Sequence, residues 1–233
     1  MLTALIVAAG SSQRMGFDKL FADLAGKPVV AWSVAAFEAC AAVDRIIIVT
    51  RPEKEPLFNE LARCEGWTKL RAILPGGAQR HLSVWNGLQT LANSADDYVA
   101  VHDGARPLVT PEMIERCFDL ARKTGAACCA TPVSDTLKRA DANGRIVSGV
   151  DRTSLWAMQT PQIFSSSKLT AAYQQVINEG ITITDETSAL EHVGQPVFVY
   201  NCGNLNLKIT YPQDLELARH LLALRRSSTA CIT

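Results

Sequence analysis

Apolar positions in this chain come in two kinds of run, which alternate from the first residue. Residues 2–8, 45–50, 70–74, 98–102 and 126–132 are short, nearly unbroken apolar stretches of strand length. Between them the apolar residues recur at helical spacing. In 28–42, Val29, Trp32, Val34, Ala36, Phe37 and Cys40 supply one such face, and 53–64 and 79–92 read the same way. Pro111 opens a further helix carrying Met113, Ile114, Cys117, Phe118 and Ala121. Apolar strands separated by helices predict an α/β fold with a mostly parallel sheet covered by helices on both faces.

After Pro132 the rhythm changes. Residues 133–150 are polar, offer no helix-length apolar face, and contain Asn143-Gly144, a strong hairpin turn. This predicts a β-arm at about 133–153 that leaves the core; with little to bury against inside its own subunit it suits pairing with a partner chain in a homodimer, whereas these residues alone favour an ordinary surface hairpin. Beyond it, 165–179 and 185–193 read as helices, 196–200 and 206–210 as strands, and 212–226 as a closing helix before a frayed end at 227–233. Pro161 stiffens the Gln159-Thr160-Pro161-Gln162 block, which reads as a loop. With no internal repeat and no linker, the expectation is a single Rossmann-like domain over residues 1–233, with the arm as an appendage.

Composition narrows the function. A hydrophobic share of 48% and a charged share of 20% describe a globular chain with a core, not a disordered one. Lysine plus arginine and aspartate plus glutamate each total 23, so bulk charge favours neither nucleic acid nor a membrane surface. Any anionic ligand must therefore be met by a local cluster of basic groups. No apolar run is long enough to cross a membrane, and the N-terminus has no basic leader before an apolar core. Seven cysteines without a C-x-x-C pair point to a reduced, cytoplasmic compartment, with Cys128 and Cys129 acting as small buried apolar residues.

The candidate chemistry begins where the first strand ends, at Ala8-Ala9-Gly10-Ser11-Ser12-Gln13-Arg14-Met15-Gly16-Phe17-Asp18-Lys19. Small residues after a strand let backbone N–H groups approach a polyphosphate, and Arg14 and Lys19 add charge where those phosphates would lie. The spacing fits neither a Walker loop nor the dinucleotide G-x-G-x-x-G pattern. A Gly/Ser turn with two solvated basic residues would look similar, but the carboxyl end of the first strand is where α/β sheets bind ligands. Asp103 follows the fourth strand onto the same edge, where its carboxylate suits Mg²⁺ bridging phosphate oxygens or, alternatively, a loop-bonding role. His102 beside it fits a packed, hydrogen-bonded histidine better than an acid or base. Gly76-Gly77-Ala78-Gln79-Arg80-His81-Leu82-Ser83 precedes a helix, and its backbone and Ser83 hydroxyl offer hydrogen-bond donors and acceptors to a ligand; a plain strand-to-helix turn fits the composition equally.

The first loop resembles the signature of nucleotidyltransferases that couple a nucleoside triphosphate to a phosphorylated small molecule. Four later blocks narrow the resemblance. They are His102-Asp103-Gly104-Ala105-Arg106-Pro107, the run from Pro132 through Ser134-Asp135-Thr136 to Arg139, Val150-Asp151-Arg152 through Trp156 with Gln159-Thr160-Pro161-Gln162, and Thr184-Asp185-Glu186 with Asn206-Leu207-Lys208. Their order and spacing resemble the 2-C-methyl-D-erythritol 4-phosphate cytidylyltransferases of the non-mevalonate isoprenoid pathway, over nearly the whole chain.

The resemblance implies CTP and 2-C-methyl-D-erythritol 4-phosphate as substrates, Mg²⁺ as cofactor, and Arg14, Lys19, Arg152 and Lys208 as the catalytic cations. It implies nucleotide contacts from Ala8, Ala9, Gly10, Ser11, Gly77, Ala78, Ser83 and Gly104. Asp103, Arg106, Asp135, Thr136 and Thr160 are then expected at the substrates, with Asp103 on the metal. The family pattern carries the positions matching Arg152, Arg106 and Thr136 into the neighbouring subunit's site. Thr184-Asp185-Glu186 reads as a helix start and is assigned no catalytic part. Phe17-Asp18-Lys19-Leu20 and His81-Leu82 differ from the residues common at those places. Ribitol 5-phosphate as acceptor, or a nucleotide-binding regulator without turnover, are the alternatives.

Overall fold

The computed structural model describes residues 1–10, 15–91 and 97–230, with residues 226–230 described by their backbone. Its centre is a seven-stranded sheet in the order β11-β7-β10-β6-β1-β4-β5. In chain order the elements are β1 (Leu2–Ala8), the short pair β2 (Asp23–Leu24) and β3 (Lys27–Pro28), α1 (Val29–Ala39), β4 (Arg45–Thr50), α2 (Glu55–Glu65), β5 (Leu70–Pro75), α3 (Arg80–Leu88) and β6 (Tyr98–Asp103). There follow α4 (Pro111–Thr124), β7 (Ala126–Pro132), β8 (Leu137–Ala140), β9 (Ile146–Val150), β10 (Trp156–Ser165), α5 (Ser166–Asn178), α6 (Glu186–His192), β11 (Phe198–Asn201) and α7 (Pro212–Ala230).

The alternation of side chains along β1 shows why the sheet is covered twice. Leu2, Ala4 and Ile6 point into one core with Val30, Val34 and Phe37 of α1, Phe58 of α2 and Ile114 and Cys117 of α4. Leu5 points the other way, into a core with Val84 and Leu88 of α3, Leu169 and Tyr173 of α5 and Leu190 of α6. A third cluster packs Ala218 and Leu222 of α7 against Leu24, Val29, Leu108 and Ile209. Helix ends follow local chemistry: the Thr110 side chain caps α4 by accepting from the Met113 N–H, and Asp185 caps α6 by accepting from that of Ser188.

The expected mostly parallel α/β sheet is present: β1 pairs in parallel with β4 and β6, β4 with β5, and β7 with β11. Three expectations are corrected. The block read as a stiffened loop is β10, which runs antiparallel between β6 and β7 inside the sheet. Its ladder to β7 shifts register between Met158 and Gln162, so Pro161 sits where no ladder N–H is required. Residues 206–210 form no strand; Asn206 is instead buried with its side-chain amide donating to the Thr160 carbonyl at 2.7 Å, and the Ile209 N–H donates to the Ala105 carbonyl. Helix α7 continues through Ala230 rather than fraying after 226.

Strands β8 and β9 form a two-stranded antiparallel sheet of their own. The Asp141 carboxylate closes the turn between them by accepting from the N–H groups of Asn143 and Arg145, and Gly144 takes the positive φ that the turn requires. Most side chains of this hairpin are exposed, including Ile146 at 64%. Among the described residues, no helix is long and apolar enough to cross a membrane.

Candidate active site

Two clefts open where β1, β6 and the segment after β5 end, and they share a wall. The larger, about 290 Å³, is lined by Ala9, Gly10, Lys19, Gly77, Ala78 and Ser83, together with Arg80, Asp103 and Lys208. The smaller, about 150 Å³, has the same Arg80, Asp103 and Lys208 on one side and Arg106, Met158, Thr160, Gln162, Thr184 and Asp185 on the other. Ser11 and Arg14 of the first loop lie outside the described residues.

Asp103 is the electrostatic centre. It ends β6 at register with Val7 of β1, nearly buried, and three cations converge on it. Lys208 Nζ lies 2.7 Å from Oδ2, Arg80 Nε 3.1 Å from Oδ1, and Arg106 Nε 3.8 Å from Oδ2. Burial alone would raise its pKa, but the charges of Arg80, Lys208 and Arg106 outweigh burial and hold the carboxyl well below the usual carboxylate range. Lys19 reaches across the larger cleft, its Nζ donating to the Ile209 carbonyl at 2.8 Å. The uncommon Phe17-Asp18-Lys19-Leu20 segment permits this reach because it is pinned at both sides. Asp18 pairs with Arg51 and Lys54 at 3.5 and 3.3 Å, and Leu20 is buried in the core.

His102 is fully buried, and burial pushes its pKa down to about 3. Thr160 Oγ1 accepts from the Asp103 N–H at 3.1 Å, so its own proton is directed to His102 Nδ1 at 3.0 Å. The proton of the neutral imidazole is therefore on Nε2, 3.3 Å from the Arg106 carbonyl. His102 is a brace for the Asp103–Arg106 turn, as its sequence position suggested.

The Gly76-Gly77 turn shapes the other side of the larger cleft. A Cβ on Gly76 would stand 2.4 Å from Ala9 Cβ, and one on Gly77 would stand 2.5 Å from Leu82 Cβ, so both glycines are required by close approach. The Ser83 hydroxyl accepts from the Gly77 N–H at 3.0 Å and lies 3.1 Å from the Gln79 carbonyl, so it braces the turn. Gly76→Ala is expected to cost about 1–3 kcal/mol of stability through overpacking and, by pushing Ala9 outward, to raise the KM for nucleotide about tenfold. Thermal melting and steady-state kinetics on the same variant check both.

Several expected residues lie elsewhere. Ala8 is buried behind the larger cleft, and Gly104 is committed to the scaffold, its N–H donating to the Val7 carbonyl and its carbonyl accepting from Ser33 Oγ at 2.9 Å. Neither lines the larger cleft. Asp135, Thr136 and Arg152 are exposed at the base of the hairpin, where an Arg152 Nη1 donates to the Ser134 carbonyl, and they line neither cleft. Arg106, expected in a neighbour's site, is seated in its own chain's smaller cleft because it closes a turn on Asp103 and its Nη1 donates to the Asn206 carbonyl at 2.8 Å. Two residues gained no role from sequence: Arg80 and Glu186, 106 positions apart, form a fork with Nη1–Oε1 at 2.7 Å and Nη2–Oε2 at 3.1 Å. Each stood within a quoted motif, yet no local spacing connects them.

A model of the family described as 2-C-methyl-D-erythritol 4-phosphate cytidylyltransferase matches residues 2–224 of the chain. The chain belongs to this family. A curated 2-C-methyl-D-erythritol 4-phosphate cytidylyltransferase from Lachnospira eligens is 40% identical over 224 residues, 94% of this chain and 97% of that one. Another of that name, from Parasynechococcus marenigrum, is 42% identical over 225 residues, 95% and 98% of the two chains. The crystal structure of 4-diphosphocytidyl-2C-methyl-D-erythritol synthase from Anaerococcus prevotii matches with a TM-score of 0.83 at 27% identity, covering 95% of this chain and 96% of that one. The cytidylyltransferase match runs from β1 into α7, so it includes every described wall of both clefts.

Proposed function

We propose that this chain transfers CMP from CTP to 2-C-methyl-D-erythritol 4-phosphate, releasing pyrophosphate and 4-diphosphocytidyl-2-C-methyl-D-erythritol in non-mevalonate isoprenoid precursor biosynthesis. The observation that carries this reading is the shared wall. Two clefts meet at Lys208, Asp103 and Arg80, so a nucleotide in the larger and a phosphorylated acceptor in the smaller present their phosphates to one shared cation, Lys208. An acceptor phosphate oxygen then attacks the α-phosphorus in line and expels pyrophosphate. A phosphate monoester is already ionised near neutral pH, so the step needs no general base, in keeping with His102 held neutral and buried. Catalysis falls to positioning and to the charges of Lys19, Lys208 and Arg14 around the reacting phosphates.

Asp103 is the carboxylate through which Mg²⁺ would be held. Among the described residues, no group of three His, Cys, Asp or Glu side chains is placed to hold a metal, and Asp103 is the one carboxylate lining the larger cleft. One carboxylate facing a triphosphate is the arrangement that suits Mg²⁺, which takes its remaining ligands from phosphates and water. When bound, the ion would neutralise charge on the triphosphate oxygens.

We assign Arg152, Thr136 and Asp135 to the partner's cleft in a homodimer. The hairpin carries exposed Ile146 and Val147, and β11, an edge of the seven-stranded sheet, exposes Phe198 at 45%. Both are surfaces that a second copy would cover. A cytoplasmic location is proposed on the odd cysteine count without a C-x-x-C pair.

The testing experiment measures pyrophosphate release with Mg²⁺, offering each nucleoside triphosphate with either 2-C-methyl-D-erythritol 4-phosphate or ribitol 5-phosphate. Release with CTP and methylerythritol phosphate alone is expected. Preference for ribitol phosphate would move the substrate, and CTP binding without release would make the chain a regulator.

A further inference from the structure

The wall between the clefts holds a charged pair that the reaction as described leaves unused. Arg80 opens α3, and its guanidinium faces two carboxylates at once: Nε donates to Asp103 Oδ1 at 3.1 Å, while Nη1 and Nη2 make the fork to Glu186. Glu186 has no exposed surface. Its Oε1 also accepts from the Tyr173 hydroxyl at 3.0 Å, and its N–H donates to Gln162 Oε1 at 3.2 Å. Tyr173 is itself buried among Leu169, Val176 and Leu190. A two-point arginine–carboxylate pair with a buried, further-bonded carboxylate is rigid, because separating it would leave an uncompensated charge away from water.

The two donors on Asp103 therefore differ in kind. Arg80 is held from behind by Glu186, whereas Lys208 comes from a segment without regular secondary structure and its side chain is 37% exposed. An arriving phosphate competes with Asp103 for Lys208. Arg106 Nε, 3.8 Å from the same Oδ2, offers that oxygen a longer partner, so the exchange costs least when nearly buried Asp103 also keeps a hydrogen-bonded cation on Oδ1. Arg80 supplies that cation, and its own Nη groups are already committed to Glu186, so it does not follow Lys208 to the ligand.

We propose that Arg80, locked by Glu186, is a positioning residue: it keeps Asp103 paired and aimed, and so releases Lys208 to the reacting phosphate. The inference rests on the reaction proposed above. If it holds, Arg80→Met lowers kcat about 100-fold with the KM for CTP changed less than about threefold, since the lost group acts through Lys208. Arg80→Lys, which keeps a cation but cannot bridge both carboxylates, regains about tenfold of that loss. Glu186→Gln lowers kcat about tenfold, and the double variant R80M/E186Q stays within about twofold of R80M, because the two side chains act as one unit.

Melting temperatures and circular dichroism are recorded beside the kinetics. Should Arg80→Met not fold, Arg80→Lys and Glu186→Gln carry the test: lowered kcat at unchanged CTP KM supports the proposal, and unchanged kcat overturns it. Wild-type-like turnover of R80M, a loss in KM alone, or losses that multiply in the double variant would also overturn it. Silence of the wild-type protein would instead overturn the reaction and this inference together, so the two failures are told apart by the wild-type assay.

Discussion

Lys208→Ala is expected to lower kcat about 1000-fold while changing the KM for CTP less than about threefold. The ammonium stands on the wall common to both clefts, 2.7 Å from Asp103, where the proposed reaction would build up charge as the acceptor oxygen and the α-phosphorus come together. A cation there meets more negative charge in the transition state than in the bound ground state, which is the condition for an effect on kcat rather than on binding. The fold should tolerate the change, because Asp103 keeps Arg80 and Arg106 as partners. Steady-state kinetics with each substrate varied, beside CTP affinity from calorimetry, checks this. Equal losses in turnover and CTP binding would make Lys208 a ground-state contact, and the two-cleft mechanism would lose its central cation.

Mixing subunits gives the second large effect. On the proposed homodimer, Lys19→Ala and Arg152→Ala are each expected to lose about 100-fold in turnover, and a one-to-one mixture refolded together is expected to return to about one quarter of wild-type activity. The arithmetic follows from a shared site. In a mixed dimer one cleft has both residues and the other has neither, and random pairing makes half of the dimers mixed. The structural ground is the position of Arg152: exposed, bonded across the hairpin base to Ser134, and on the wall of neither cleft of its own chain. If activity does not return while native mass spectrometry shows mixed dimers, Arg152 serves its own subunit. The β8–β9 hairpin would then have no part in the site.

Much of the larger cleft was legible because its signals are local. A strand ending in Ala9-Gly10, a glycine pair before a helix, and an aspartate just past a buried strand each declare themselves within a few residues, and parallel topology brings such strand ends to one edge. Lys19 and Lys208 were found the same way, through motifs. The smaller cleft was less legible. Its floor is β10, whose Gln159, Thr160 and Gln162 look like loop residues until their partners are known. Gln162 Nε2 donates to Asp185 at 3.0 Å, and Thr160 joins His102 to the Asp103 backbone. Polar side chains enter a buried strand when distant elements satisfy them, and no window of sequence contains both ends of such bonds.

The same reason separates what was determined at each level. By its apolar runs and helical repeats, the sequence alone determined an α/β chain covered on both faces, and by its motifs, the family. Tertiary structure decided that β10 enters the sheet antiparallel, that Ala8 and Gly104 back the cleft rather than line it, and that Arg80 joins Asp103 to Glu186. Periodicity is written by neighbours along the chain, whereas the partners of buried charges are chosen by neighbours in space; the penalty for an unpaired charge away from water acts only once the fold has brought them together.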